Sequence, residues 1–324
     1  MTAGPLHVVT GAFGYTGRFI ARRLLQAGKR VRTLTGNPAR PNPFGERLSV
    51  AAFDFDNPDA LARSLEGAAV LYNTYWVRFP RGRVTFETAV ANTRTLIRAC
   101  ERAGVPRIVH LSVTNASADS PLPYYRGKGI LEQAITGSTL SYAVLRPALV
   151  FGPGDILVNN IAWFLRRSPL FPVMGTGAYR LQGVYIDDLA EIAVQAGERR
   201  ENSIVDLVSP EIYTFDAFVR LIAAKIGSRA GVVHWPPAVV GGLLGAAGLV
   251  VGDVVLTRDE MAGLMAELLV SSGPPRGRTR FADWLDQSAD ALGRTYASEL
   301  DRHFRSRPRT RPEGPRGAAP NPSE

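Results

Sequence analysis

A doubly wound α/β sheet followed by a smaller, mostly helical lobe is the fold that the 324-residue sequence predicts. Three observations carry it. Short apolar runs alternate with longer amphipathic stretches through residues 6–152, as β-α-β units on a parallel sheet require. Three glycines, Gly11, Gly14 and Gly17, stand between the first apolar run and the first amphipathic one. Beyond Gly154 the alternation loosens into helical stretches with few strands.

The elements follow in order. "LHVVT" (6–10) reads as a strand and 15–28 as a helix with Phe19, Ile20, Leu24 and Leu25 on one face. Strands are expected at 30–35, 48–55, 68–74, 107–113 and 140–152, with helices at 57–67, 84–103 and 124–136. The later half predicts helices at 156–167, 187–198, 214–227, 254–270 and 281–303, with a strand at 203–209. The domains are therefore 1–154, the doubly wound unit, and 155–304, a lobe over the sheet's carboxyl edge with some segments returning to the sheet. Residues 305–324, proline-rich and without apolar periodicity, are expected to be a disordered basic tail.

Composition narrows the function. Of the formal net charge of +9, the tail holds +3, from five arginines against two glutamates. The rest is spread without a basic stripe or interleaved aromatics, so no nucleic-acid partner is expected. His7, His110, His234 and His303 lack metal-ligand spacing and Cys100 is the single cysteine, so neither a metal site nor an internal disulfide is expected. No apolar run reaches the ~18 residues of a membrane-spanning helix. The start lacks a secretory h-region, so a cytoplasmic protein is expected. A small-molecule substrate is the expected partner, and the chain is expected to be a monomer or a homodimer. The longest apolar stretch, 238–251, is expected to be part of a buried helix pair. A lid over an apolar substrate and peripheral contact with a membrane surface are its alternatives.

The glycine run predicts a phosphate site. Gly11 allows the turn out of the strand, Gly14 lets main chain approach a pyrophosphate, and Gly17 lets the helix pack against the strand. The helix N-terminus then offers N–H groups and partial positive charge. "TGAFGYTG", "YYRGK", "LRPALVFGPGD" and "LQGVYIDDLAE" in this order resemble the extended and atypical short-chain dehydrogenases/reductases, including the NAD-dependent epimerase/dehydratase type. The resemblance covers residues 6–225, and within it the chain is most similar to the complex I Rossmann-fold accessory subunits and NmrA-like proteins.

The resemblance implies a Rossmann domain holding a nicotinamide dinucleotide. It puts Phe13, Tyr15 and Arg18 with the fingerprint, Asp54 and Phe55 beside the adenine, and Asn73 and Thr74 on the ribose-phosphate side. Pro147 and the backbone of residues 148–150, including Val150, would meet the nicotinamide amide. The second strand ends "TLTGNPAR" without an acid for a ribose 2′-hydroxyl, and Arg18 and Arg40 are suited to a 2′-phosphate. NADP is therefore expected, with NAD the alternative.

For chemistry, Tyr124 and Lys128 lie four apart on a helix opened by Pro123, and Lys128 is one of three lysines in an arginine-rich chain. The resemblance implies that Tyr124 exchanges a proton with the substrate oxygen while Lys128 holds the nicotinamide ribose and lowers the phenol pKa. Tyr125 lies about 100° around the helix. The family's carbonyl-polarising serine falls on Val113 in "HLSVTNAS"; Ser112 matches its neighbour, and Thr114 or Ser117 is the expected substitute. Asp187 and Asp188 are expected to cap a helix, and Asn159, Asn160 and Trp163 to face the substrate. The leading expectation is hydride transfer on a small carbonyl or alcohol, hydrophobic if 238–251 form a lid. Sugar-nucleotide epimerase or dehydratase chemistry is an alternative. A non-catalytic NAD(P)-binding sensor, assembly factor or quinone-associated subunit is another.

Overall fold

The computed structural model describes residues 4–303. The chain runs β1 (Leu6–Thr10), α1 (Tyr15–Gln26), β2 (Arg30–Thr35), β3 (Leu48–Ala52), α2 (Pro58–Leu65), β4 (Ala68–Asn73), α3 (Phe86–Arg102), β5 (Arg107–Leu111), α4 (Pro123–Thr136) and β6 (Ser141–Pro147). It continues through β7 (Leu149–Phe151), α5 (Leu157–Arg167), β8 (Leu170–Met174), β9 (Arg180–Tyr185), α6 (Ile186–Glu198), β10 (Ser203–Leu207), β11 (Ile212–Thr214) and α7 (Phe215–Lys225). β12 (Gly231–Trp235), α8 (Pro237–Val251), α9 (Arg258–Met265), α10 (Phe281–Ser288) and α11 (Glu299–His303) complete it.

Seven parallel strands form the main sheet in the order β10-β6-β5-β4-β1-β2-β3. β1 and β5 are buried along their whole length, as a strand covered by helices on both faces must be, which is why each reads as a near-continuous apolar run. The order reverses beside β1, between β2 and β4, and ligands of open α/β sheets bind outside the strand ends at such a switch point. Thr10 and Asn73 fasten it. The Thr10 hydroxyl donates to Asn73 Oδ1 (3.1 Å) and accepts from Thr74 N (2.8 Å) and Tyr75 N (3.1 Å), while Thr74 Oγ1 donates to Thr10 O (2.6 Å).

The later half divides its loyalties. β10 joins the main sheet beside β6, and α6 lies on α1 through Arg23–Asp187 (3.1 Å), Arg23–Glu191 (3.3 Å) and Lys29–Glu198 (2.9 Å). The remaining lobe has its own core, in which Phe151, Phe218, Phe281 and Trp284 pack together. It also carries two small sheets, β11-β9-β7 and β12-β8.

Several sequence expectations are corrected. The strand expected at 140–152 is two, because the chain turns off the main sheet after Ala148, whose amide still donates to Leu207 O (3.4 Å), and β7 pairs with β9. The helix expected at 254–270 is confined to α9, and the one at 281–303 is α10 and α11 with an irregular segment between. Asp187 and Asp188 do not cap α6; Asp187 pairs with Arg23, and Asp188 accepts from the Arg278 and Thr279 amides (both 2.7 Å). Asn159 and Asn160 hold the 293–297 segment through Gly293 N, Thr295 O and both backbone groups of Ala297, although Asn160 also lines the cavity between the sheet and the second lobe, and Trp163 packs on Phe164 and Tyr296. The expected buried helix pair at 238–251 is overturned. In α8 only Val240 and Gly248 are buried. The tail expected at 305–324 lies outside the described residues.

Candidate cofactor and substrate site

The glycine junction is built as its residue types dictate. Gly11 adopts φ +66°, in the left-handed region, and its amide donates to Leu34 O (2.9 Å). A Cβ on Gly17 would come within 2.8 Å of the Gly11 carbonyl carbon, so only glycine lets α1 start this close to β1. α2 and α3 are capped by the side chains of Asn57 and Thr85. At α1, by contrast, Gly14 supplies no cap and the first turn holds no acid, which leaves N–H groups and dipole to an anion.

Positive charge gathers at this end. Arg18 has its Nε buried without a partner, and no carboxylate pairs with it among the described residues. Burial lowers its pKa, and the guanidinium groups of Arg22, Arg302 and Arg40 lower it further. Arg302 Nη2 donates to Gly154 O (2.8 Å) and its guanidinium lies over the Tyr15 ring (5.8 Å). A dinucleotide phosphate would relieve this uncompensated charge, so the glycine cradle and the arginines both fit the expected cofactor.

Other expected cofactor residues fare differently. Phe55 packs on Phe53 (4.3 Å) and Tyr75 (5.3 Å), an aromatic group beyond β3 and β4, while Asp54 is exposed and closes a turn by accepting from Asp56 N. The side chains of Asn73 and Thr74 are committed to joining β1 and β4, and Asn73 Nδ2 further donates to His110 Nδ1 (3.0 Å). That bond leaves the His110 proton on Nε2, which is buried and unpartnered. Burial, with Lys128 nearby, keeps His110 well below the usual imidazole pKa. Phe13 is half-buried against the core, Arg40 is exposed, and Pro147 accepts from Thr114 N (3.1 Å).

Of the expected catalytic residues, Tyr124 and Lys128 meet at one place, against Trp76, with an altered electrostatic logic. Lys128 is 3% exposed; its ammonium donates to Leu111 O (2.6 Å) and sits 4.7 Å from the centre of the Trp76 ring. Burial pushes it down to about 7, against the opposing pull of Glu132. The glycines flanking Lys128 explain the crowding. A Cβ on Gly127 would lie 2.7 Å from Trp76, and one on Gly129 2.7 Å from Ser117 Cα.

Tyr124 meets the same Trp76 ring edge-on at 5.8 Å, so the indole touches both members of the pair. The lysine was expected to lower the phenol pKa. Instead burial pushes Tyr124 up to about 12, with Glu260 adding to the rise and Arg78 opposing it. The Thr114 hydroxyl donates to Leu268 O (2.9 Å), and Asn115 Nδ2 donates to Leu268 O and Val270 O (both 2.9 Å), clamping the 268–270 segment. Ser112 donates to Glu132, which is in turn held by Arg146.

Between this end of the sheet and the second lobe lies a cavity of about 770 Å³. Val113, Tyr124, Tyr125, Ala148, Val150 and Tyr15 wall it on the sheet side. On the lobe side stand Leu157, Ile161 and Phe164 of α5, Phe218 of α7, and Val240, Leu243, Leu244 and Ala247 of α8. Its largest polar feature is an ion group absent from the sequence reading. Arg78 grips Glu260 with two bonds (2.6 and 3.2 Å), reaches Glu299 (3.5 Å) and donates to Val255 O (3.1 Å). The neighbouring Asp155 is buried, pushed up to about 6 by that burial, and accepts from the first amides of α5. Nothing in the local sequence marks Arg78, because its partners lie 182 and 221 residues away.

The NAD(P)H-binding family model matches residues 11–153. The chain carries an NAD(P)-binding Rossmann domain. Among curated proteins it is 26% identical over 224 residues to NADH dehydrogenase [ubiquinone] 1 alpha subcomplex subunit 9 of Arabidopsis thaliana, covering 65% of this chain and 56% of that protein. It is 27% identical over 245 residues to the ceramide reductase of Caulobacter vibrioides, covering 75% and 76%. The Citrobacter triphenylmethane reductase structure shares the fold, with TM-score 0.66, 20% identity, and 87% and 99% of the two chains covered. Among the described residues no helix is long and apolar enough to cross a membrane.

Proposed function

We propose that this protein is an oxidoreductase that moves hydride between NAD(P)(H) and a carbonyl or alcohol on an apolar molecule, with NADP(H) preferred. The observation that carries the reading is the apolar cavity ending at Tyr124 and Val113 on the sheet's carboxyl edge. A nucleotide sugar demands convergent polar groups along its length. Here the main ones, Arg78, Glu260 and Glu299, are engaged with one another, which disfavours epimerase or dehydratase chemistry. The similarity to a ceramide reductase supports an apolar substrate.

A bound nicotinamide supplies or accepts the hydride. Tyr124, whose phenol pKa is held further above neutral pH by burial, gives a proton to the substrate oxygen, which suits reduction. Lys128 holds the nicotinamide ribose, a role that requires the Trp76 ring to yield. Thr114 fixes the lobe through Leu268 instead of polarising the carbonyl. The arginines around Arg18 favour the additional phosphate of NADP(H).

One observation favours a second reading. Val113 provides no hydroxyl where the family has a serine, as suits a non-catalytic NAD(P)-binding subunit. Fluorescence titration with NADPH and NADH, followed by nicotinamide absorbance with aliphatic aldehydes and ketones, separates the two. Turnover that Tyr124→Phe abolishes is the expected result. Binding without turnover across the panel shifts the function to the second reading, and no binding of either nucleotide sinks both.

A further inference from the structure

α8 has a composition that water does not favour. Its fifteen residues include no charge, and four glycines weaken it as an isolated helix. Its outward face is nonetheless aliphatic. Leu249 is 86% exposed and Val250 87%, with Val239 and Leu243 also exposed. Its inner residues Val240, Leu244 and Ala247 line the cavity. Leu170, Trp235 and Leu243 both line the cavity and stand exposed, so they mark where it meets the exterior, beside this helix.

Basic sequence begins at the same place. Asp253, just past the end of α8, accepts from Tyr296 Oη (3.0 Å), Glu299 N (2.8 Å) and Leu300 N (3.0 Å), pinning the start of α11 there. α11 ends at His303, and the sequence that follows carries five arginines against two glutamates. An exposed aliphatic helix with an aromatic beside it, in a chain whose sequence turns cationic after α11, is the composition that settles on anionic lipid. We propose that α8 docks the protein on an anionic membrane surface and that a long-chain aliphatic substrate enters the cavity beneath it. The entry of substrate rests on the oxidoreductase reading above; the docking does not.

The test is sedimentation of the full chain with phosphatidylcholine vesicles, with and without phosphatidylglycerol. Binding to the anionic vesicles is expected, weakened about tenfold by Leu249→Glu with Val250→Glu and reduced at about 0.5 M salt. Both positions are exposed, so an unchanged melting curve confirms that the variant folds. Equal binding of variant and parent, or no binding to anionic vesicles, overturns docking. So does a dimer in sedimentation velocity that the variant dissociates, which assigns the face to a second copy. Ala247→Trp, which fills the cavity from α8, should abolish binding of a dansyl-labelled dodecanol; unchanged binding overturns the entry route. NADPH titration keeps the readings apart. Vesicle binding without NADPH binding removes the oxidoreductase reading alone, and the reverse removes the docking alone.

Discussion

The glycine junction and the apolar cavity meet along one edge of the sheet, yet they are built on opposite principles. The junction is main chain: a left-handed Gly11, a close-packed Gly17 and an uncapped helix start, all between residues 11 and 17. The cavity is side chain, assembled from α5, α7, α8 and α9, segments separated by a hundred residues. A site made of backbone tolerates almost no substitution, because each position has a steric reason. A site made of aliphatic bulk tolerates many, since any side chain of similar volume fills it. The contrast teaches that the first half specifies what is bound by geometry, and the second half by the absence of polarity.

The sharpest way to break that division is at the point where the halves touch. Tyr124→Phe removes only the phenol proton donor, and turnover should fall about 10³-fold with NADPH affinity unchanged. Measured kcat near the parent value would remove Tyr124 from the chemistry. Gly17→Ala comes next. Its methyl group would meet the Gly11 carbonyl, so the junction must open, with a loss of about 2 kcal/mol, or roughly 30-fold, in NAD(P)H affinity. An unaffected affinity would place the dinucleotide elsewhere.

How much of this was legible in the sequence follows the same division. The parallel strands read correctly because buried strands need continuous apolar runs, and Gly11 and Gly17 take the turn and the close helix packing that a strand before them and a helix after them imply. α8 misled because apolar composition alone does not distinguish a buried helix from one with its apolar face outward. Periodicity would not have helped, since the helix lacks a polar face. The coupling of Tyr124 and Lys128 was misjudged for a different reason. Trp76, forty-eight residues upstream of Tyr124 in a loop without a motif, stands against both side chains. The roles of Thr114, Asn159 and Asn160 were hidden in the same way, as each holds a segment more than a hundred residues away.

A smaller effect sharpens the cofactor side. Arg18 stands among cations with no partner acid among the described residues, so Arg18→Ala should lower NADPH affinity about tenfold while changing NADH affinity little. Parallel titrations read the ratio. An equal loss with both nucleotides would move Arg18 from the 2′-phosphate to the shared diphosphate.

The smallest change is the most diagnostic of how the halves depend on each other. Burial lowers the Lys128 ammonium to about 7 in the folded protein, whereas an unfolded lysine holds its proton to about 10.4. Between those values the unfolded chain binds the extra proton, so stability rises with pH across that window. Below about pH 7 both states are protonated and the full cost of burying the charge is felt. Lys128→Met fills the same space without charge and should gain on the order of 1 kcal/mol of stability at pH 6. It should also flatten the rise between pH 7 and about 9, while weakening NAD(P)H binding about fivefold. Thermal melts of parent and variant across that range, with nucleotide titrations beside them, give both readings. If the variant is no more stable at pH 6 and binds nucleotide as before, Lys128 is neither a strained residue nor a ligand, and Trp76 covers it for packing alone.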